Sequence, residues 1–237
     1  MPSQPTAHTH STRAQPWILG VSIRPIGSLA SAGGAGTVTN AGGAAATLTT
    51  GGDNTSTTFS GVIQDGAGMT GLTKAGTGTF TLAADSTYTG GTTISAGTLK
   101  LGNASTTGSV TGNIVNNAAL TFDRSDALTY AGVISGTGAV TQSGTGTLTL
   151  SGANTYTGTT TISAGTLALS GSGSIVSSSQ VNVSAAAGTF DISGTSSGAT
   201  VTTLNGVANS HVTLGGQTLR FRTGRRPMRA SSRARAG

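Results

Sequence analysis

Apolar side chains recur at every second position in many short segments of the chain. These pairs are Phe80/Leu82, Leu99/Leu101, Leu120/Phe122, Leu148/Leu150, Leu167/Leu169, Val181/Val183, Phe190/Ile192 and Val212/Leu214. Residues at i and i+2 share one face of a strand, so each pair predicts a short strand with one buried face. Threonine fills many of the positions in between, and its branched Cβ favours an extended backbone. The helical spacing of apolar residues fits no useful length of the chain.

Turn-forming residues separate these segments, and proline is confined to the two ends. No proline occurs between Ile26 and Arg226, which fits continuous strand pairing because proline cannot donate to a β-ladder. Residues 1–25 contain four of the five prolines and share nothing with the segments that follow. We therefore predict a disordered leader over residues 1–25 and β structure over residues 26–219.

One stretch of the sequence occurs twice in the chain. Residues 76–101 align without a gap on residues 144–169, and 19 of the 26 paired positions are identical. Such a repeat indicates units that cannot bury their apolar faces alone and therefore stack on one another. With roughly 20–23 residues per coil, the offset between the copies predicts about three coils, which would place Tyr88 and Tyr156 about 14 Å apart along the axis. We predict an all-β fold, a single right-handed parallel β-helix of about eight to ten coils.

Composition agrees with this architecture. The 237 residues include 39 glycines, no cysteine and no glutamate, and only 8% are charged. A solenoid suits a chain with few bulky side chains, because its core is a narrow column filled by a few residues per coil. Disorder is the main alternative for a chain rich in glycine, serine and threonine. The regular apolar spacing argues against it.

The basic charge belongs to one end of the chain. Seven of the 12 basic residues follow Leu219, whereas residues 1–219 carry five basic residues against six aspartates. The body has no basic stripe that could follow a phosphate backbone, so we expect no nucleic-acid partner. No run approaches the ~20 apolar residues of a membrane helix.

The two copies resemble the autotransporter-associated β-strand repeat of bacterial passenger domains. The central motifs span residues 59–103 and 130–171. The matching positions are Gly78, Phe80, Leu82, Tyr88, Gly90, Ile94, Gly97, Leu99 and Leu101 in the first copy, and Gly146, Leu148, Leu150, Tyr156, Gly158, Ile162, Gly165, Leu167 and Leu169 in the second. The resemblance implies a right-handed β-helix, secreted or displayed at the bacterial surface, whose repeats support folding and transport of the passenger.

The resemblance also implies partners outside this chain. A full-length parent would carry a C-terminal outer-membrane β-barrel translocator, and it would meet host or cell-surface ligands as an adhesin-like stalk. This sequence lacks the many ~10-residue amphipathic strands of such a barrel. The apolar run after Arg13 is broken by Arg24 and Pro25, so it makes a poor signal peptide. We expect that the chain is not exported by itself.

Several short motifs match known chemistry but stand in the wrong surroundings. Residues 66–71 read G-x-G-x-x-G, yet a strand pattern follows where a dinucleotide site needs a helix. Residues 194–198 read G-x-S-x-G, and His211 is the only histidine of the body. The cluster Asp123-Arg124-Ser125-Asp126 is interpreted as a solvated turn with a local ion pair. We predict no catalytic, cofactor-binding or metal-ligating residues and no enzymatic activity. The alternatives are a carbohydrate-active enzyme fragment on a β-helix and the non-functional product of a truncated or frameshifted gene.

Threonines also alternate along the strands, at Thr77/Thr79/Thr81 and again at Thr145/Thr147/Thr149. Threonines arranged in regular rows on a flat solenoid face can bind ice, provided that the pattern recurs in every coil. The wide spacing between the two copies does not predict that recurrence. We interpret these threonines as the outward neighbours of inward Phe and Leu residues.

We predict that the Arg-rich tail, residues 220–237, is the repeat read out of frame, as in the product of a truncated or frameshifted gene. One permitted codon choice for residues 229–236 encodes GVIQGAG when read from its third nucleotide, close to the GVIQDGAG of residues 61–68. The tail would then have no evolved fold or function and be disordered. A genuine basic tail for nucleic acid or membrane is the alternative. Coding DNA that does not yield GVIQGAG in the shifted frame eliminates the idea.

Overall fold

The computed structural model of the chain describes residues 16–19, 26–31 and 35–222, and the regular structure in these ranges consists of strands. No helix occurs in these ranges, so none there could span a membrane. The strands are β1 Pro16–Leu19, β2 Thr37–Asn40, β3 Ala46–Thr50, β4 Thr57–Phe59, β5 Val62–Gln64, β6 Thr70–Lys74, β7 Thr79–Leu82, β8 Thr92–Ile94, β9 Thr98–Ser105, β10 Ile114–Asn116, β11 Ala119–Arg124, β12 Leu128–Tyr130, β13 Ile134–Ser135, β14 Ala139–Gln142, β15 Thr147–Leu150, β16 Thr160–Ile162, β17 Thr166–Gly171, β18 Val181–Val183, β19 Thr189–Thr195, β20 Ala199–Val201, β21 Leu204–Gly206, β22 His211–Thr213 and β23 Leu219–Phe221.

The strands lie on three faces, which the chain visits in turn. Face 1 carries β1, β2, β5, β12, β15, β17, β19 and β22; face 2 carries β3, β6, β8, β10, β13, β20 and β23; face 3 carries β4, β7, β9, β11, β14, β16, β18 and β21. Loop backbone continues faces 1 and 2 where strands are missing. On face 1, Thr87 donates to the Ile63 carbonyl, and on face 2, Thr155 donates to the Ile134 carbonyl, each at 2.9 Å. Face 3 is one unbroken sheet of eight strands.

The pairing of successive coils makes a parallel β-solenoid. Each strand pair is parallel, and the coils differ in length: the coil that brings Phe80 into register with Leu99 is shorter than the one that brings Thr37 into register with Val62. The solenoid makes about nine turns. The predicted all-β, parallel β-helical fold is therefore confirmed, and the number of turns falls within the predicted range.

The core is a column of stacked inward side chains. Strands such as β15 and β17 alternate outward threonine or alanine with fully buried leucine. On face 3, Leu82 lies in register with Leu101, which lies in register with Phe122. Each inward residue thus packs on its equivalent one strand spacing away, about 4.8 Å. The i, i+2 pattern of the sequence correctly separates the inside from the outside.

The prediction that the two copies are separated by whole turns of the solenoid is wrong. Three register steps lead from Phe80 through Leu99 and Leu120 to Val140 on face 3. The equivalent of Phe80 in the second copy is Leu148, which lies beyond Val140 in the chain and belongs to face 1. The offset between the copies is therefore three turns plus one face. The coils between the copies contain fewer residues than the prediction of three whole turns requires.

The two tyrosines of the repeat accordingly lie on different faces. Thr87, which precedes Tyr88, bonds to Ile63 of face 1, whereas Tyr156 itself donates its backbone N–H to Ile134 of face 2. Equivalent residues of the two copies are rotated by about one third of a turn around the axis. The expected displacement of whole coils between Tyr88 and Tyr156 does not occur.

The body extends slightly beyond the predicted limits of 26 and 219. Strand β1 falls inside the predicted leader and pairs with β2, and β23 reaches Phe221, where it pairs with β20. Both added strands have register partners in the neighbouring coil, which is enough to extend a stacked sheet. The rest of the predicted leader, and the predicted tail beyond Arg222, lie outside the described residues.

Truncating one inward leucine should cost far more stability than truncating the threonine beside it. We expect Leu150→Ala or Leu167→Ala to lower the unfolding free energy by about 2–4 kcal/mol, because each leaves a cavity in a fully buried column. Thr149→Ala, on the outward side of the same strand as Leu150, should cost much less. Urea unfolding measures all three, and equal losses would contradict the assignment of inside and outside.

Candidate functional site

The two copies of the repeat show the same interior features twice, which identifies the features that belong to the repeat itself. The first is a buried hydrogen bond between a tyrosine and a threonine of the strand that follows. Tyr88 Oη lies 2.6 Å from Thr92 Oγ1, and Tyr156 Oη lies 2.6 Å from Thr160 Oγ1. Burial raises the pKa of both tyrosines. Each pair lets a large side chain fill the core where a strand is missing, while its polar end stays bonded.

A glycine at one corner of each copy allows the coils to approach closely. Gly97 and Gly165 have φ of +65° and +57°, a region that favours glycine. A Cβ on Gly97 would overlap the carbonyl oxygens of Gly76 and Gly78, and one on Gly165 would overlap those of Gly144 and Gly146. The segments GTG and SAGT, which both copies contain, therefore form the two sides of one tight contact between coils.

A buried donor closes the same corner in each copy. Lys74 is fully buried, and its Nζ donates to the carbonyl oxygens of Ala75, Gly76 at 2.8 Å and Ala96 at 3.3 Å. Gln142 occupies the equivalent position of the second copy, and its Nε2 donates to Gly144 at 2.8 Å and Gly146 at 3.1 Å. Both side chains donate to carbonyl groups of the turning backbone. Of these, the Gly146 carbonyl also accepts from the backbone N–H of Thr166.

The burial of Lys74 has an electrostatic consequence. Loss of hydration lowers the pKa of its ammonium group, and the charge of Asp53 only partly offsets this effect. The folded protein therefore binds this proton less tightly than the unfolded chain does. Sequence reasoning counted Lys74 as one of the charges of the body and missed its place in the core. Its alignment with the neutral Gln142 was the available signal.

The predicted cluster at residues 123–126 is more than a local turn. Arg124 is 8% exposed, and its guanidinium meets Asp126 at 2.8 Å and Asp85 at 3.0 Å. It also donates to the Thr106 carbonyl. The hydrogen bond from Arg124 lowers the pKa of Asp126. The predicted ion pair is present, but Arg124 also ties together segments 39 residues apart, which the sequence did not indicate.

Another aspartate joins neighbouring coils. Asp65 accepts hydrogen bonds from the backbone of Thr70 at 2.6 Å and from the hydroxyl of Thr89 at 2.6 Å. Burial opposes its ionisation, but these bonds outweigh the penalty and lower its pKa. Thr89 is 24 residues from Asp65, so the carboxylate works as a clamp between coils.

The other predicted motifs lie in turns and strands. Residues 66–71 lead into β6, where a Cβ on Gly66 would overlap the Asn40 carbonyl of the preceding coil. Residues 194–198 join β19 to β20, and His211 is exposed in β22. Among the described residues, no group of His, Cys, Asp or Glu could hold a metal ion.

The outward threonines recur more often than the sequence predicted. On face 3, the central outward position is polar in each of eight strands in succession: Thr58, Thr81, Lys100, Thr121, Thr141, Thr161, Asn182 and Asn205. Lys100, Asn182 and Asn205 interrupt the threonines of this column, so the threonine pattern does not recur in every coil. Face 2 has a comparable run through Thr49, Thr73 and Thr93. Since more than one face carries threonines, strand propensity explains them without a ligand.

Strands within one copy of the repeat also pair with each other. Leu72 of β6 is in register with Thr92 of β8, and Phe80 of β7 with Leu99 of β9. In the second copy the same pairs are Val140 with Thr160 and Leu148 with Leu167. One copy therefore contains one complete turn, closed by its own strand pairs.

Replacing Lys74 by the residue of the other copy should preserve the corner. At neutral pH we expect Lys74→Gln to be at least as stable as the wild type, whereas Lys74→Met should cost about 1–3 kcal/mol because buried carbonyl groups lose their donor. At neutral pH the buried charge costs the wild type stability, and this cost is relieved as pH rises through the lowered pKa towards 10.5. The stability of wild type relative to Lys74→Gln should therefore rise between pH 7 and pH 10, measured by urea unfolding. A constant difference would contradict the burial of a charged Lys74.

Comparison with known proteins agrees with these features. A family model described as passenger-associated-transport-repeat matches residues 72–101 and 140–169. The chain is 60% identical over 96 residues to the adhesin BmaC autotransporter of Brucella suis biovar 1 (strain 1330). That stretch is 40% of this chain and 3% of the relative. No solved structure matches. The resemblance seen in the sequence is thus confirmed, and the chain carries two passenger-associated-transport repeats of the kind found in autotransporter passengers.

Proposed function

We propose that this chain is a segment of an adhesin-like autotransporter passenger, in which the repeats help the β-solenoid to fold and to be transported. The similarity to an autotransporter adhesin supports the class of protein. In a parent of this class, the segment would belong to a stalk at the bacterial surface, exported through a C-terminal outer-membrane β-barrel. Residues 26–219 would form the repeat body of the stalk. Its role would be structural and not enzymatic.

The self-pairing of each repeat is the observation that carries the folding role. The register partners Leu72 and Thr92 both lie within the first matched repeat, and Leu148 and Leu167 both lie within the second, so each repeat contains both sides of one turn. A turn whose strands belong to one repeat can close without contacts from distant coils, and a solenoid can nucleate at any stable repeat and then propagate to its neighbours. A repeat that closes its own turn is thus a suitable starting point for the coils on both sides.

The rotation between the copies supports an interior role in preference to a ligand-binding stripe. Equivalent outward residues of the two copies lie on different faces, as Thr79 on face 3 and Thr147 on face 1 show. What the copies keep in common is the core, the corner glycine and the buried tyrosine. Adhesive contacts of the parent would then depend on surfaces that differ from coil to coil.

A display experiment tests both parts of the proposal. The full chain would be fused between a secretion signal and an outer-membrane barrel translocator, and the folded chain at the cell surface measured by protease resistance. Leu167→Ala, inside the second repeat, would be compared with Ile192→Ala in the next strand of face 1, outside the repeats; both side chains are fully buried.

We expect wild type to reach the surface. We expect Leu167→Ala to reduce display several-fold more than Ile192→Ala, after correction for the loss of unfolding free energy that each causes. Failure of the wild type to appear at the surface would contradict the passenger assignment. Equal losses of display at equal destabilisation would instead contradict the special role of the repeats.

A further inference from the structure

Two neighbouring coils in the middle of the solenoid have no strand on face 1. One sheet of face 1 ends at β5, and the next begins at β12. We call residues 106–111, which cross this gap between β9 and β10, the strap. Val110 of the strap is 5% exposed, so the strap covers the core although it belongs to no sheet. Its backbone is bonded to the coil before it where Ser86 donates to the Ser109 carbonyl at 2.8 Å.

Side chains hold the strap to the coil before it. Asp85 Oδ1 accepts hydrogen bonds from the backbone N–H of Gly108 at 3.0 Å and from the hydroxyl of Ser109 at 2.7 Å. Two threonine hydroxyl groups of the strap donate to carbonyl oxygens of that same coil. A segment held mainly by side-chain bonds opens more easily than one held by a backbone ladder. The second copy of the repeat has Ala153 where the first has Asp85, so this attachment is not a feature of the repeat.

Arg124 holds the strap from the coil that follows it. Its guanidinium donates to the Thr106 carbonyl and meets Asp85 at 3.0 Å and Asp126 at 2.8 Å. Arg124 is 8% exposed, whereas the side chains of Asp85 and Asp126 are 51% and 34% exposed. Protons in the solvent therefore reach both carboxylates, while the cation between them stays enclosed.

Acid changes the charge of this cluster on one side only. The two carboxylates can be protonated, but arginine keeps its charge. A buried cation whose partners have been neutralised destabilises the fold around it. The hydrogen bond from Arg124 lowers the pKa of Asp126 from its ordinary 3.8. The stabilisation from this pair is therefore present above pH 3.8 and is lost as the pH falls below it.

The backbone that leads into the strap favours release once the bonds are broken. Ala104, near the end of β9, has φ of +55°, a region that residues with a Cβ rarely adopt. The register between β9 and β11 is also irregular beyond Phe122. Both features require the attachments of the strap to hold the chain in place.

We propose that Asp85, Arg124 and Asp126 form a clasp that acid opens, so that the strap leaves face 1 and uncovers the core beside Val110. The strap lies between the matched repeats, residues 72–101 and 140–169, and each repeat is closed by its own strand pairs. Opening therefore affects the coil between the repeats and leaves both repeats folded.

The other charged and titratable groups around the clasp do not hold the strap. Lys100 pairs with Asp123 at 2.6 Å on the outward side of face 3. Tyr130 donates its hydroxyl to the Gly112 carbonyl at 2.6 Å, and burial raises its pKa, so it stays neutral in acid. The acid response of the strap thus depends on the carboxylates that face Arg124.

Hydrogen exchange of the full chain, followed residue by residue by NMR, tests the clasp. The reporters are the amides of Gly108, which bonds to Asp85, and of Ser125, which bonds to the Ser105 carbonyl. The references are Thr98 and Thr166, one in each repeat. We expect the protection of the reporters, corrected for intrinsic rates, to fall about tenfold or more between pH 6 and pH 3 while that of the references holds. Unchanged reporters, or an equal loss at all four amides, would overturn the proposal.

Three substitutions assign the acid response to Arg124 and its partners. Asp126→Asn should lower the protection of the strap already at pH 6, because one partner of the buried cation is then neutral. Asp123→Asn, the matched control in the same turn, should leave the response of the wild type unchanged, since Asp123 pairs with Lys100. Arg124→Gln, which keeps a long donor without the charge, should make the protection of the strap equal at the two pH values.

Equal effects of Asp126→Asn and Asp123→Asn would contradict the clasp. So would an acid response that survives Arg124→Gln. The comparison of the two aspartate variants decides the proposal even if Arg124→Gln does not fold, because asparagine preserves the shape of the side chain that it replaces.

Discussion

The spacing between one coil and the next is the constraint on which the rest of this structure depends. Parallel strands must lie about 4.8 Å apart on all three faces at once, so nothing bulkier than backbone fits where a corner crosses the coil below. Gly97 and Gly165 occupy such corners with positive φ and stand directly over carbonyl groups. The same spacing stacks Leu82, Leu101 and Phe122 into one column. Glycine at the corners and apolar residues in the column are therefore consequences of a single distance.

Turning a corner breaks the ladder of backbone hydrogen bonds, and the interior supplies substitutes. Lys74 and Gln142 have different charges but donate to equivalent carbonyl groups, so the corner requires a long donor and not a positive charge. The hydroxyl groups of Tyr88 and Tyr156 are satisfied by a threonine of the same loop-and-strand segment. Buried polar groups without partners are costly, and the repeat preserves side chains that prevent this cost. The polar residues shared by the copies therefore contribute to the fold as the apolar residues do.

The sequence predicted the features that depend on local pattern and missed those that depend on the length of each turn. Alternation at Leu148 and Leu150 identified a strand and its buried face without reference to any other coil. The rotation of the second copy could not be predicted, because it depends on coil lengths that vary along the chain and leave no local mark. Arg124 and Asp85 meet across 39 residues, a separation that no local pattern indicates. Lys74 was misjudged because lysine is rarely fully buried unless it is paired.

In the proposed stalk, the rotation of the repeat by one face would separate folding from recognition. If the offset between repeats were a whole number of turns, equivalent outward residues would form one row along a single face. Selection on that row would then act on folding and recognition together. Here Phe80 and Leu148 have the same inward role on different faces, while the outward residues beside them look in different directions. The interior can therefore stay constant while the surface changes from face to face. A repeat that specifies packing and leaves the surface free allows a long passenger to be built from similar coils without committing it to one ligand.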